Sequence, residues 1–91
     1  MAPPVDSSQP RFAPGCRWGG SDSERVVLFP EGAVKVEGTG RMILEACDGE
    51  RSFLEIVQQM QAAFSVGDPA RIRADISSFL ESLQQKRIID Y

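Results

Sequence analysis

ILEACDGERSFLEIVQQM, the stretch from Ile43 to Met60, reads as two helices meeting across a polar corner. Before the corner, Ile43, Leu44 and Cys47 repeat at i, i+1, i+4. After it, Phe53, Ile56, Val57 and Met60 repeat at i, i+3, i+4, i+7, one face of a second helix. Asp48-Gly49 interrupts the first pattern, because glycine accepts the positive φ with which helices commonly stop. Ser52 followed three residues on by Glu55 predicts a capping box, in which each side chain satisfies a free N–H at the start of the second helix. Both apolar faces then need a shared partner, and nothing in the stretch is catalytic equipment.

Upstream, Arg25-Val26-Val27-Leu28-Phe29 is β-branched and aromatic, which predicts a strand. A shorter strand is expected at Cys16-Arg17-Trp18, ended by Gly19-Gly20, with Ser21 to Glu24 as the turn of a hairpin. Pro30-Glu31-Gly32 is a second turn, proline presetting φ and glycine closing it. Ala33-Val34-Lys35-Val36-Glu37 alternates, placing Val34 and Val36 on one face with Lys35 and Glu37 on the other. As the last of three strands it has a free side, whose unpaired N–H and C=O groups are a docking template. Gly38-Thr39-Gly40 leads into the first helix, with Thr39 expected as its N-cap.

Downstream, the second helix runs to about Phe64 and Ser65-Val66-Gly67 ends it. Asp68 as N-cap and Pro69 at the first helical position open a third. Ile72, Ile76, Phe79, Leu80 and Leu83 give that helix a broad apolar stripe, and Ile88-Ile89 forms a short extended or helical end. The order is βββααα, which predicts an α+β fold: a small winged-helix-like domain, with a three-stranded antiparallel sheet followed by three helices. Residues 1–14 hold four prolines and two serines without apolar periodicity, so they are read as a mobile N-terminal tail and 15–91 as the folded domain.

Composition narrows the function. Ninety-one residues with 42% hydrophobic and 25% charged side chains make one globular domain. No apolar run approaches the roughly 20 residues of a membrane helix, and Met1 to Pro10 lacks the pattern of a secretory signal, so a cytoplasmic location and no membrane partner are expected. The chain has no histidine and two cysteines, Cys16 and Cys47. That leaves no usual zinc site, no imidazole base and no cofactor site, and the expectation is a protein that is not an enzyme. Cys47 falls on an apolar face and reads as a small buried hydrophobe. Cys16, next to Arg17, reads as a half-buried strand residue, with a more reactive thiol the alternative. A nucleic-acid-binding winged helix is the rival reading. Between Asp22 and Glu50, however, seven acids stand against three bases, a surface that repels a phosphate backbone, and no nucleic-acid partner is expected.

Phe29-Pro30-Glu31-Gly32, Ile43-Leu44, Cys47-Asp48-Gly49, Arg51-Ser52 and Glu55-Ile56 together resemble the motifs of the PqqD family, over roughly Pro10 to Ile89. Pro30, Glu31, Gly32, Cys47, Asp48, Gly49, Ser52 and Glu55 are the structural positions of that likeness. One departure stands out: the family often has glycine after the last helix, where this chain has Arg87, and a left-handed cap there costs more without glycine. The resemblance implies a peptide chaperone in pyrroloquinoline quinone (PQQ) biosynthesis. Such a protein binds the leader of a ribosomally made precursor, a PqqA-like peptide, and presents it to a radical S-adenosylmethionine enzyme, PqqE-like, which joins a glutamate to a tyrosine. Any iron–sulfur cluster then belongs to the enzyme.

The resemblance further implies that the leader adds as a strand beside the third strand, against the third helix. On this sequence the site would comprise Ala33, Val34, Lys35 and Val36 with the row Arg71, Asp75, Ser78 and Ser82, spaced i, i+4, i+7, i+11 beside the apolar stripe. The two serines leave room for a backbone, and Arg71 suits an acidic leader residue. Proline at Val34 or Val36 tests the pairing, provided that residue's N–H points outward. A free edge is equally compatible with a monomer and with a self-paired homodimer.

Overall fold

The computed structural model describes residues 2–91. In chain order it contains β1 (Arg11–Phe12), β2 (Arg17–Gly20), β3 (Arg25–Phe29), β4 (Gly32–Lys35), α1 (Gly38–Ala46), α2 (Phe53–Ala63), α3 (Pro69–Gln85) and β5 (Ile89–Asp90). The corner between α1 and α2 has the expected chemistry. Gly49 sits at φ 80°, the Asp48 carboxylate accepts the N–H groups of Glu50 and Arg51 at 2.9 Å each, and α2 opens with a complete capping box. Ser52 Oγ accepts from the Glu55 N–H at 3.1 Å, and Glu55 Oε1 accepts from the Ser52 N–H at 2.9 Å. α3 begins at Pro69 behind Asp68, whose carboxylate accepts the Ala70 N–H at 3.0 Å.

The fold is α+β, with an antiparallel sheet ordered β2-β3-β4 and three helices behind it. Val27, 0% exposed, sits at the middle of the sheet opposite Trp18 on β2 and Val34 on β4. Val27 and Val36 close over Leu44, Phe53, Ile56, Met60, Leu80 and Ile88, all in one cluster. Each large side chain buried there contributes about 1.5–3 kcal/mol, so the cluster is what fixes the helices on the sheet.

Several elements differ from the sequence reading. β2 runs through Gly19 and Gly20 instead of ending before them. A Cβ on Gly19 would lie 2.8 Å from the Leu28 side chain, so glycine is what lets Leu28 fold across the strand. Thr39 is not the N-cap of α1. The cap is Glu37, in an extended conformation and without a side-chain hydrogen bond. Gly38 turns the chain at φ 59°, which leaves Thr39 already inside the first turn.

A second, two-stranded sheet joins the ends of the chain: β1 runs antiparallel to β5, with Arg11 opposite Asp90 and Phe12 opposite Ile89. The segment read as a mobile tail lies folded against the domain from residue 2 onward, while Met1 falls outside the described residues. Pro10 is buried and its carbonyl accepts the Gly49 N–H at 2.9 Å. Ser8 O accepts the Phe53 N–H at 2.7 Å, Asp6 pairs with Arg73, and Tyr91 donates to Ala2 O at 2.6 Å. Proline-rich composition misled here because the prolines stiffen an extended segment whose Ser8 and Asp6 carbonyls accept the free N–H groups of Phe53 and Leu54 at the start of α2.

α3 ends in a Schellman turn. Arg87, at φ 60°, donates its N–H to Gln84 O, and Ile88 donates to Leu83 O, both at 2.9 Å. Leu83 and Ile88 are both buried, the apolar contact that accompanies this motif. Arg87 thus holds the left-handed position that glycine fills more cheaply.

Candidate functional site

β4 is an edge strand, and its outer side carries the candidate site. The register pairs Val26 with Lys35, Val27 with Val34, Leu28 with Ala33 and Phe29 with Gly32. Beyond the strand, the Val36 N–H donates to Arg25 O at 3.1 Å. Backbone groups of an antiparallel pair alternate inward and outward, so Val36, Val34 and Gly32 face β3, whereas Ala33 and Lys35 turn their N–H and C=O groups to the free side. This corrects the sequence expectation: neither Val34 nor Val36 offers its N–H to an incoming strand. Their side chains point toward the core, Val36 buried and Val34 half-buried. They therefore fix the strand, and the two backbones beside them are the ones left open.

On α3 the row Arg71, Asp75, Ser78 and Ser82 is exposed, as the spacing required. The Arg71 guanidinium approaches the Asp75 carboxylate at 4.0 Å, with both side chains about three-quarters or more exposed, an ion pair too solvated to hold either group firmly. Ser82 donates its hydroxyl to Phe79 O at 2.8 Å, within its own helix. Of this row Asp75 lines a cavity. That cavity is a cleft of about 370 Å³ between the first turn of α1, the end of α2 and the first half of α3, lined by Thr39, Gly40, Ile43, Met60, Phe64, Ile72, Asp75, Ile76 and Phe79.

Sequence reasoning missed this cleft because it assigned Ile72 and Phe79 to the core stripe. Ile76, Leu80 and Leu83 are buried, but Ile72 and Phe79 are only half-covered. The signal was present in the width of the stripe: five apolar residues over more than three turns span a wider arc than the sheet and α2 can cover. Gly40 lets Phe79 reach α1, since a Cβ there would stand 3.3 Å from the ring.

Neither thiol is poised for chemistry. Burial pushes Cys47 up to about 12, with the Asp48 carboxylate adding to the rise, and its Sγ donates to Ile43 O at 3.2 Å. Cys16 is half-buried and its thiol is likewise raised, first by burial and then by Glu31 and Asp90. The adjacent Arg17 does not make it a reactive nucleophile. Asp48 moves the other way: the N–H groups of Arg51 and Glu50, then the Arg51 guanidinium at 3.2 Å, hold its carboxyl below the usual range. Among the described residues no helix is long and apolar enough to cross a membrane.

A small α+β domain with an open strand edge belongs to the class that can take up an extended segment by strand addition. The chain itself belongs to the PqqD family, its residues 24–89 matching the family model for Coenzyme PQQ synthesis protein D (PqqD). A PqqA binding protein of Kluyvera intermedia is 36% identical over 86 residues, an alignment covering 91% of each chain. One from Methylococcus capsulatus is 32% identical over 66 residues, covering 72% of this chain and 68% of that one. Among solved structures, the solution NMR structure of the PqqD truncation of Methylobacterium extorquens PqqCD superposes with a TM-score of 0.71. The two are 30% identical, and the match covers 90% of this chain and 88% of that one. That truncation is described as a functional, stand-alone recognition element for ribosomally synthesized and post-translationally modified peptides.

Proposed function

We propose that this chain is a peptide-binding adaptor of PQQ biosynthesis. It binds the leader of a PqqA-like precursor in the cytoplasm and presents it to a PqqE-like radical S-adenosylmethionine enzyme, performing no chemistry itself. Family membership and relatives named as PqqA binding proteins support the reading. The single observation that supports it is the free side of β4, where Ala33 and Lys35 offer unpaired backbone donors and acceptors. A peptide strand there gains main-chain hydrogen bonds for affinity, while α3 side chains select what it carries. Arg71, on the exposed row of α3, favours an acidic residue in the bound segment.

The test is titration of synthetic PqqA into isotope-labelled protein, followed by amide NMR. Ala33→Pro or Lys35→Pro removes an outward donor and leaves the β3–β4 ladder whole, because an edge strand tolerates proline on its free side. Each is expected to weaken binding about ten-fold, the equivalent of roughly one to one and a half kcal/mol for a lost hydrogen bond. Ser78→Trp is expected to block approach and leave the fold intact. Normal binding by all three variants would remove the β4–α3 groove as the site.

A further inference from the structure

The strand edge explains how a peptide is held but not how one apolar sequence is told from another. Ala33 and Lys35 contribute only backbone to the free side, and main-chain pairing accepts any residue but proline. The cleft between α1, α2 and α3 supplies what the edge lacks. Its walls are Ile43, Met60, Ile72, Ile76 and Phe79, with Phe64 at its outer lip. At about 370 Å³ it lies at the small end of ligand pockets, which run from roughly 300 to 1,000 Å³, and suits a side chain better than a cofactor.

Its position ties it to the edge. Thr39 and Gly40, at its mouth, lie in the first turn of α1, which follows β4 after a linker of two residues, Val36 and Glu37. Strands advance about 3.3 Å per residue, so a peptide paired with β4 reaches the mouth roughly two to four residues beyond the position opposite Lys35. The one charged side chain lining the cleft is the Asp75 carboxylate, and the residue that caps α1 is Glu37, so the cleft selects by shape and apolar burial and does not attract an acid.

Resting on the reading of β4 as the leader-binding edge, we infer that this cleft is a specificity pocket for the same peptide. It takes one bulky apolar side chain of the leader, aromatic or branched aliphatic, lying outside the strand-paired segment. The paired segment gives the complex its hold, and the anchored side chain fixes the register. Without that anchor a peptide strand can slide by two residues along β4 and make the same main-chain bonds. The preference of this chain for one apolar leader residue over another therefore resides in Ile72, Phe79 and the opening at Gly40.

The experiment uses full-length protein with labelled amides and methyl groups, titrated with synthetic PqqA and with versions in which each apolar leader residue in turn is alanine. Intact PqqA is expected to shift the amides of Ala33 and Lys35 together with the methyls of Ile43, Ile72 and Met60. One alanine version is expected to lose affinity about ten-fold or more, as burial of one large side chain implies, and to stop moving the cleft methyls while still moving the β4 amides. Thr39→Trp, at an exposed position, closes the mouth. It is expected to bind intact PqqA as weakly as the wild type binds the alanine version, with no further loss when the two changes are combined. Phe79→Ala, which removes a wall instead, provides a second route to the same loss should Thr39→Trp not fold. If the β4 amides move but no cleft methyl does, the adaptor reading stands and the pocket is overturned. If neither set moves, both fall; if the cleft moves alone, strand pairing and the continuation proposed from it are refuted.

Discussion

Replacing Gly49 tests whether the corner is built as described. Gly49 has φ 80°, and its N–H reaches Pro10 O at 2.9 Å. An L-residue in the left-handed region costs about 1–2 kcal/mol, offset by roughly 0.4–1 kcal/mol because the unfolded chain loses freedom when glycine is replaced. A new Cβ would also stand 3.3 Å from Arg11 Cβ, and Arg11 cannot retreat freely because β1 is paired to β5. Gly49→Ala is therefore expected to cost about 1 kcal/mol, and Gly49→Val, whose branched side chain resists this backbone further, about 2 kcal/mol or more. For a domain of this size each kcal/mol is about 4–8 °C in melting temperature. Thermal unfolding followed by circular dichroism should rank the variants Gly, Asn, Ala, Val from most to least stable, since asparagine tolerates the left-handed region best among the replacements. A valine variant that melts with the wild type would refute the argument, as would alanine proving better tolerated than asparagine.

Arg87→Gly reverses the same logic. Arg87 already occupies the left-handed cap of α3 at φ 60°, so glycine is expected to raise stability by about 0.5–1 kcal/mol, read as a higher urea midpoint at unchanged slope; a lower midpoint would show that the arginine side chain contributes more than its backbone costs. Asp48 sets an acid limb: its folded carboxyl lies below the unfolded value of about 3.9, so its contribution is complete above about pH 5 and fades as pH falls through the folded value. Asp48→Asn should flatten that limb of the stability profile, and an unchanged profile would mean that the Asp48 turn does not couple to folding.

How much of this was legible depended on the range of the interaction responsible. The Asp48-Gly49 corner, the Ser52–Glu55 box and the Asp68-Pro69 start are closed within four residues, and the sequence states them directly. The β1–β5 pair joins residues about eighty positions apart through strands of two residues each, too short for any period to announce. The orientation of β4 was beyond reach for a different reason. Val34 and Val36 are correctly inward by side chain, yet whether their N–H groups face β3 or solvent turns on one step of register, which only the Val36–Arg25 bond decides. Ile72 and Phe79 have the right period for a core helix, and their partial exposure reflects how much of α3 the neighbouring elements cover, a property of packing that no local pattern contains.

The sheet has two edges, and the chain treats them unequally. By the alternation that turns Ala33 and Lys35 outward on β4, Val26 and Leu28 face β2 and pair with Gly19 and Arg17, leaving Trp18 and Gly20 as the outward residues of β2. Gly20 is at φ 76°, and a Cβ there would lie 2.2 Å from Glu24 O, so the strand bends out of its extended course at that point. Just before β2, Cys16 donates its N–H to Ala13 O and its thiol contacts Arg87 O, while Phe12 packs edge-on against Trp18 with ring centroids 5.5 Å apart. Only Trp18 keeps an extended, outward backbone on that side, too little to template a strand. The N-terminal segment and the glycine pair thus blunt β2. β4, with Ala33 and Lys35 both turned outward, is the edge the fold leaves available.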